Sequence, residues 1–435
     1  DASAAVDEVP PSAPWRYFRW LAPRLAPLLA ITGLVIIGIS STVSWGPQLA
    51  GSTQWALPDD LWGTLIAASR LLHGDLAGLY TRPTGLITLP GGAVILMPIV
   101  AVIKAAGISL QVQGPHNAYP TAWLLAGPYE TAISGIALFA ADAIAEYAAV
   151  TKGKRTLLAA AGAIALWNVS VRWGHPEDAV AVGLLLYAVL ALARAKTATS
   201  AWLVGAAVAV QPLVCLALPI LLAVIEPRRR AGFLAAAATP GVLLLSAAAA
   251  ANWNATFTAV VKQPNWPAVD HPTPWLALAT HLSNGAVAAG PVRLLAVAAA
   301  CGCAVAAWHQ RRAARPPDHW DPPTLLRLLW WLAAALALRS VFEPVMVAYY
   351  LWPVLAVALI TATTSWSSLI RTSVAATVLT FGSQIPWRSP WAWWLPMMVL
   401  LALTLWCARV PGETANPRTF KPLGKGLPAR RRAAH

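Results

Sequence analysis

Residues 198–225 and 231–251 each run the length of a membrane crossing without one charged side chain, and 27–43 is equally free of charge. Their apolar residues follow neither the period of 2 that marks a half-buried strand nor the 3.6 that leaves a helix one wet face. A segment apolar all round needs lipid or protein on every side. In lipid its backbone must close its own hydrogen bonds, so it folds as a helix. The whole chain agrees, with 58% of its 435 residues hydrophobic and 11% charged. Its 36 prolines and 28 glycines do not argue against helices, because neighbouring helices and waters re-satisfy the backbone groups they free.

At about 20 residues per crossing, helices are expected near 26–46, 88–106, 120–150, 156–170, 178–195, 200–226, 231–251, 290–309, 324–342, 345–364, 368–386 and 390–409, with Gln211-Pro212 splitting 200–226. The expected fold class is all-α, a polytopic transmembrane bundle of about eleven to thirteen helices. Positively charged loops stay in the cytoplasm, which places Arg16–Arg24, Lys152–Arg155, Arg194–Lys196, Arg228–Arg230, Arg311–Arg315, Arg371 and the tail from Arg409 to Arg432 inside. Arg70, Arg82, Arg172, Lys262, Arg293, Arg339 and Arg388 are left outside. Three simple crossings between Arg24 and Lys152 would put Lys152 outside, so 88–106 or 120–150 is not a plain span. Leu89-Pro90-Gly91-Gly92 and Met97-Pro98 point to 88–106 as a re-entrant or half-length element, and Gly127-Pro128 offers a break in 120–150.

Residues 1–23 are therefore expected to be a disordered cytoplasmic tail, 24–409 the membrane domain with outer loops at 47–87 and 252–289, and 410–435 a basic cytoplasmic tail. The expectation is a multi-pass plasma-membrane protein with both termini inside and any active site on the extracytoplasmic face. The formal charge of +14 reflects that topology. No basic cluster interleaves with aromatics as nucleic-acid binding would need. Four cysteines sit in apolar runs, and Cys301 with Cys303 lacks the spacing of a zinc or redox pair. No internal repeat of the transporter kind is visible. Phosphate-loop, dinucleotide and nucleophile-elbow motifs are also absent.

Three polar constellations interrupt the apolar background. In Trp55-Ala-Leu-Pro-Asp59-Asp60-Leu-Trp62, heading an amphipathic helix to Leu72, the acids either cap the helix or supply a general base for an acceptor hydroxyl. In Arg172-Trp-Gly-His175-Pro176-Glu177-Asp178, the ionisable residues between two apolar helices mark a functional site by their cost near hydrocarbon. A proline at the first helical position followed by acids also suits a simple helix start. In Arg339-Ser-Val-Phe-Glu343 with Tyr349 and Tyr350, the arginine can grip a phosphate bidentately, or pair with Glu343 and staple the turn. The tyrosines serve equally as interfacial aromatics. His175 and Glu177 are favoured over Asp178 as site lining.

Asp59-Asp60-Leu, then Leu79-Tyr80, then Leu89-Pro90-Gly91-Gly92 with Met97-Pro98 resemble the pattern of membrane-embedded GT-C glycosyltransferases. Within these, the pattern is similar to the actinobacterial polyprenyl-phosphate-sugar-dependent mannosyl- and arabinofuranosyltransferases (glycosyltransferase family 87). Leu89 and a single Pro90 stand where that family often has Tyr-Pro-Pro. The resemblance implies a GT-C-like bundle in which Asp60, with Asp59 as second candidate, is the catalytic acid of the first outer loop. It implies transfer of mannose or arabinofuranose from a polyprenyl-phosphate donor to a glycolipid or cell-envelope polysaccharide acceptor, with inversion. Arg339, Arg172 and Arg82 would bind the donor phosphate, and His175, Glu177, Glu343, Tyr349, Tyr350 and Tyr80 the substrate. No cofactor is implied, and a divalent metal is compatible but not indicated. The alternative from another class is a lipid or glycolipid flippase, which should place its ionisable groups near the bilayer midplane.

Overall fold

The computed structural model describes residues 21–45, 59–81, 86, 88–110, 122–282, 285–288, 290, 292–313, 320–385 and 389–410. Both expected tails fall almost wholly outside the described residues.

The protein is mostly helical, and six helices are long and apolar enough to cross a membrane: Trp123–Tyr147, Pro176–Ala193, Pro227–Ala251, Val292–Gln310, Pro322–Val341 and Pro390–Cys407. In chain order the helices are α1 (Leu25–Trp45), α2 (Asp59–Leu72), α3 (Gly91–Ala105), α4 (Trp123–Ser134), α5 (Ile136–Tyr147), α6 (Lys152–Trp167), α7 (Pro176–Ala193), α8 (Thr197–Val210), α9 (Leu218–Val224), α10 (Arg230–Ala251), α11 (Val292–Ala313), α12 (Pro322–Val341), α13 (Trp352–Thr361), α14 (Trp366–Gly382) and α15 (Pro390–Cys407).

Helix α7 is the axis of the bundle. Of its length 89% is buried, against 17% for Pro227–Ala251, and α4, α5 and α8 pack around it. The α5 crossing is close because Gly183 carries no side chain: a Cβ there would stand 2.7 Å from Ile136 Cγ2. The periphery is apolar toward the outside, with Leu29 and Ile36 on α1, Val242 and Leu243 on α10, Leu294 and Val305 on α11, and Val399 and Trp406 on α15 all exposed. Such a continuous exposed apolar surface suits lipid and not water.

Several expected boundaries hold and others move. Gln211 is extended, and a 3-10 turn at Pro212–Ala217 separates α8 from α9, as the Gln211-Pro212 pair predicted. Helix α3 has 15 residues, about 22 Å at 1.5 Å per residue, which is short of the bilayer core and in line with a half-length element. The interruption in 120–150 is a single residue, Gly135, which keeps helical φ/ψ within the span Trp123–Tyr147, and it does not fall at Gly127-Pro128; Pro128 lies inside α4. Gly135 packs against Ile31 of α1, where a Cβ would come within 2.9 Å of Ile31 Cγ1. The helix expected over 345–364 starts late, because Val345–Met346 (β4) pairs antiparallel with His271–Pro272 (β1) before a 3-10 turn at Ala348–Leu351 and then α13.

That pairing fixes the loop 252–289 to the end of α12. The Thr273 hydroxyl donates to the Glu343 carbonyl at 2.6 Å, its backbone N–H donates to the Pro344 carbonyl at 3.0 Å, and Trp275 Nε1 donates to the Val341 carbonyl at 2.6 Å. A second short ladder, Thr280–His281 (β2) with Val287–Ala288 (β3), closes the loop on itself.

Candidate functional site

One end of α7 gathers a cluster of buried ionisable side chains. Helix α6 ends at Trp167, a π-helical turn follows over Asn168–Arg172, and Gly174 reverses the chain at φ +64°. Pro176 then begins α7 with its fixed φ, so that Glu177 and Asp178 fall in the first turn. His175, Glu177 and Asp178 are all buried. His175 Nδ1 lies 2.6 Å from Glu177 Oε1, and the imidazole stacks on Tyr349 with centroids 3.9 Å apart. Trp173 packs on the same tyrosine at 5.8 Å.

The opposite wall comes from α12 and the turn beyond it. Arg339 is 7% exposed, and its guanidinium carbon sits 3.4 Å from the Tyr350 ring centroid. Its Nε is 3.9 Å from Glu343 Oε2, too far for a hydrogen bond, and neither Nε nor Nη1 has a hydrogen-bond partner among the described residues. Glu343 is instead held by Arg293 of α11, which donates from Nη2 at 2.6 Å and Nε at 3.3 Å. Arg293 also donates to the side chain of Gln263, a residue in the left-handed region at φ +38°.

Between these walls lies a cleft with about 460 Å³ of atom-free space, part of it open to solvent. His175, Glu177, Gln211, Gln263, Arg339 and Tyr349 line it, with Thr64 of α2, Leu86, Thr88 and Tyr350. A second, larger space lies near it: an open apolar groove of about 1080 Å³ whose walls include Ile95, Pro98, Tyr129, Ile136, Phe139 and Val180. The two are close neighbours, since Val180 follows Glu177 by three residues on α7, about 4.5 Å along the axis. Tyr129 adjoins Glu130, which lies within the field of Glu177 and His175.

His175, Glu177, Arg339, Tyr349 and Tyr350 thus converge on one cleft although three separate segments supply them. Glu343 lies behind Arg339 and is engaged by Arg293. Tyr80 stands one bond away, donating its hydroxyl to the Thr88 carbonyl at 2.8 Å; burial lifts its phenol well above the ordinary range. Arg172 lies against Trp173, 5.7 Å from guanidinium carbon to centroid, and is not a lining residue. Partial burial lowers its pKa. Asp59 and Asp60 open α2 one turn before Thr64, but their side chains lie outside the described residues, as does Arg82 altogether.

Gln211, Gln263, Thr64 and Thr88, and Arg293 behind Glu343, were not anticipated as site residues. Polar neutral side chains in loops give no sequence signal. Glu130 had one, a lone acid inside an apolar span. No protein-family model matches the chain, and no curated protein is similar to it.

Proposed function

We infer that this chain is a membrane glycosyltransferase of the GT-C type, taking its sugar from a polyprenyl-phosphate donor and acting on the extracytoplasmic face. The observation that carries this reading is the buried Arg339 guanidinium, with Nε and Nη1 lacking hydrogen-bond partners among the described residues, on a polar cleft near an open apolar groove. A lipid phosphate has both halves of that chemistry: a chain for the groove and an anion for the guanidinium, which binds phosphate through paired N–H donors. Thr64 on the cleft wall stands one turn from Asp60, the acid that the sequence resemblance nominates.

In this reading the acceptor hydroxyl oxygen attacks the anomeric carbon and loses its proton to Asp60. The bond from that carbon to the phosphate oxygen breaks, and polyprenyl phosphate departs with the electron pair. Arg339 stabilises the charge that develops on the leaving phosphate. Tyr349 and Trp173 supply aromatic surface near the reacting sugar. Mannose and arabinofuranose are the sugars the resemblance favours, and a glycolipid or envelope polysaccharide is the acceptor.

The test is transfer of radiolabelled sugar from a polyprenyl-phosphate donor to membrane lipid acceptors. Wild type is expected to transfer, and D60N to bind donor without turnover. Undiminished turnover by D60N would remove Asp60 from its role.

A further inference from the structure

Four buried carboxylate oxygens near the cleft have no hydrogen-bond partner among the described residues: Glu177 Oε2, both oxygens of Asp178 and Glu130 Oε2. Glu177 and Asp178 open α7, but Glu130 arrives from α4, 2% exposed, within the field of Glu177 and His175. Asp178, 1% exposed, lies in the field of Glu177, Arg339 and His175, with the Gln211 side chain nearby.

Helix capping does not account for these acids. The residue before α7 makes no side-chain cap bond, and no backbone N–H among the described residues donates to either Asp178 oxygen; the Gln211 side chain is its polar neighbour. Internal pairing does not account for them either. Arg293 and Glu343 satisfy each other, which leaves the Arg339 guanidinium as the cation whose field reaches Asp178. Buried acids with open lone pairs are normally completed by water or an ion.

The donor atoms have the required spacing. His175, Glu177 and Asp178 each offer one ligand atom, all within 4.8 Å of one another, close enough to share one small divalent cation after small side-chain adjustments, since two ligands of such an ion stand at most about 4–5 Å apart. We propose that His175, Glu177 and Asp178 bind one divalent cation, with Glu130 closing the site from α4. One imidazole with carboxylates suits manganese or zinc better than a soft monovalent metal or calcium. The cation faces the cleft that Arg339 lines, where it adds positive charge to the same anion-binding wall. The site stands on its own donors and does not depend on the glycosyl-transfer reading.

The test uses the full chain in detergent and Mn²⁺ alone, with free ion followed by electron paramagnetic resonance. Wild type is expected to bind one ion saturably per chain, and E177Q/D178N to lose that binding. E130Q should weaken it by about 10- to 100-fold, the usual effect of a supporting group at a metal site. E226Q, an exposed carboxylate paired with Arg229, should leave it unchanged. Electron spin-echo spectra of Mn²⁺-loaded wild type should show nitrogen coupling from the imidazole, a readout that needs no variant to fold. Absence of saturable binding to wild type overturns the proposal. So does full-affinity binding to a folded E177Q/D178N protein, or bound Mn²⁺ without nitrogen coupling.

Discussion

Replacing Glu343 by leucine should destabilise the protein by about 3 kcal/mol, the lower end of the usual cost of about 3–5 kcal/mol for breaking a buried ion pair. Glu343 is 1% exposed as a side chain and Arg293 is 31% exposed, so water relieves part of the stranded Arg293 charge. Arg339, at 8% exposed and 3.9 Å from Glu343, gets no such relief from water and keeps only the field of Asp178. A loss of that size shifts the unfolding equilibrium by about a hundredfold, since about 1.4 kcal/mol is a factor of ten. A fully solvated pair would be worth about 0–1 kcal/mol, and the two cases are therefore separable. Denaturant titration in detergent, followed by tryptophan fluorescence, reads the effect, with Trp275 bonded to Val341 at this junction. E343L combined with R293M should recover the share of the loss that the stranded Arg293 carries, because that pair is then replaced by apolar groups. A single variant within about 1 kcal/mol of wild type, or a double variant no better than the single, would refute the burial argument.

Two further outcomes follow from the packing. G183L drives a side chain into Ile136 and the Ala137 backbone at the α5–α7 crossing and should cost about 1–3 kcal/mol or more, visible as a lowered midpoint of thermal unfolding in detergent, whereas L243A on the exposed face of α10 should lie close to wild type. D142L takes from Arg155 the carboxylate to which it donates at 2.7 and 2.5 Å, leaving it Glu146 at 3.9 Å and the Pro23 carbonyl, and should lower stability by about 3 kcal/mol, the low end for a broken buried pair, while D142L/R155M restores most of it; equal loss in both variants would contradict the ion-pair account.

The helices were legible because lipid-length apolar runs leave no competing fold, and Gln211-Pro212 was legible as a break because proline removes a backbone donor. The Gly135 break was not, since its partner Ile31 is remote in sequence and only packing brings them together. The late start of α13 was hidden for the same reason: Val345–Met346 is drawn into a ladder with His271–Pro272, a long-range pairing that the local apolar pattern does not announce. At the site, His175 and Glu177 stood out because ionisable residues beside apolar spans are costly. Asp178 reads from the sequence as a first-turn acid, yet both of its oxygens are buried and no backbone N–H among the described residues caps them. Arg293 and Gln263 could not be read forward, because their places depend on how the loop before α11 docks against α12.

The most direct test of a lipid-phosphate site is a cryo-EM structure of the protein with polyprenyl phosphate in a nanodisc. The phosphate is predicted within hydrogen-bond reach of the Arg339 guanidinium in the cleft between His175 and Tyr350, with the chain in the groove past Tyr129 and Val180. Phosphate density away from Arg339, or an empty cleft at saturating lipid, would contradict it.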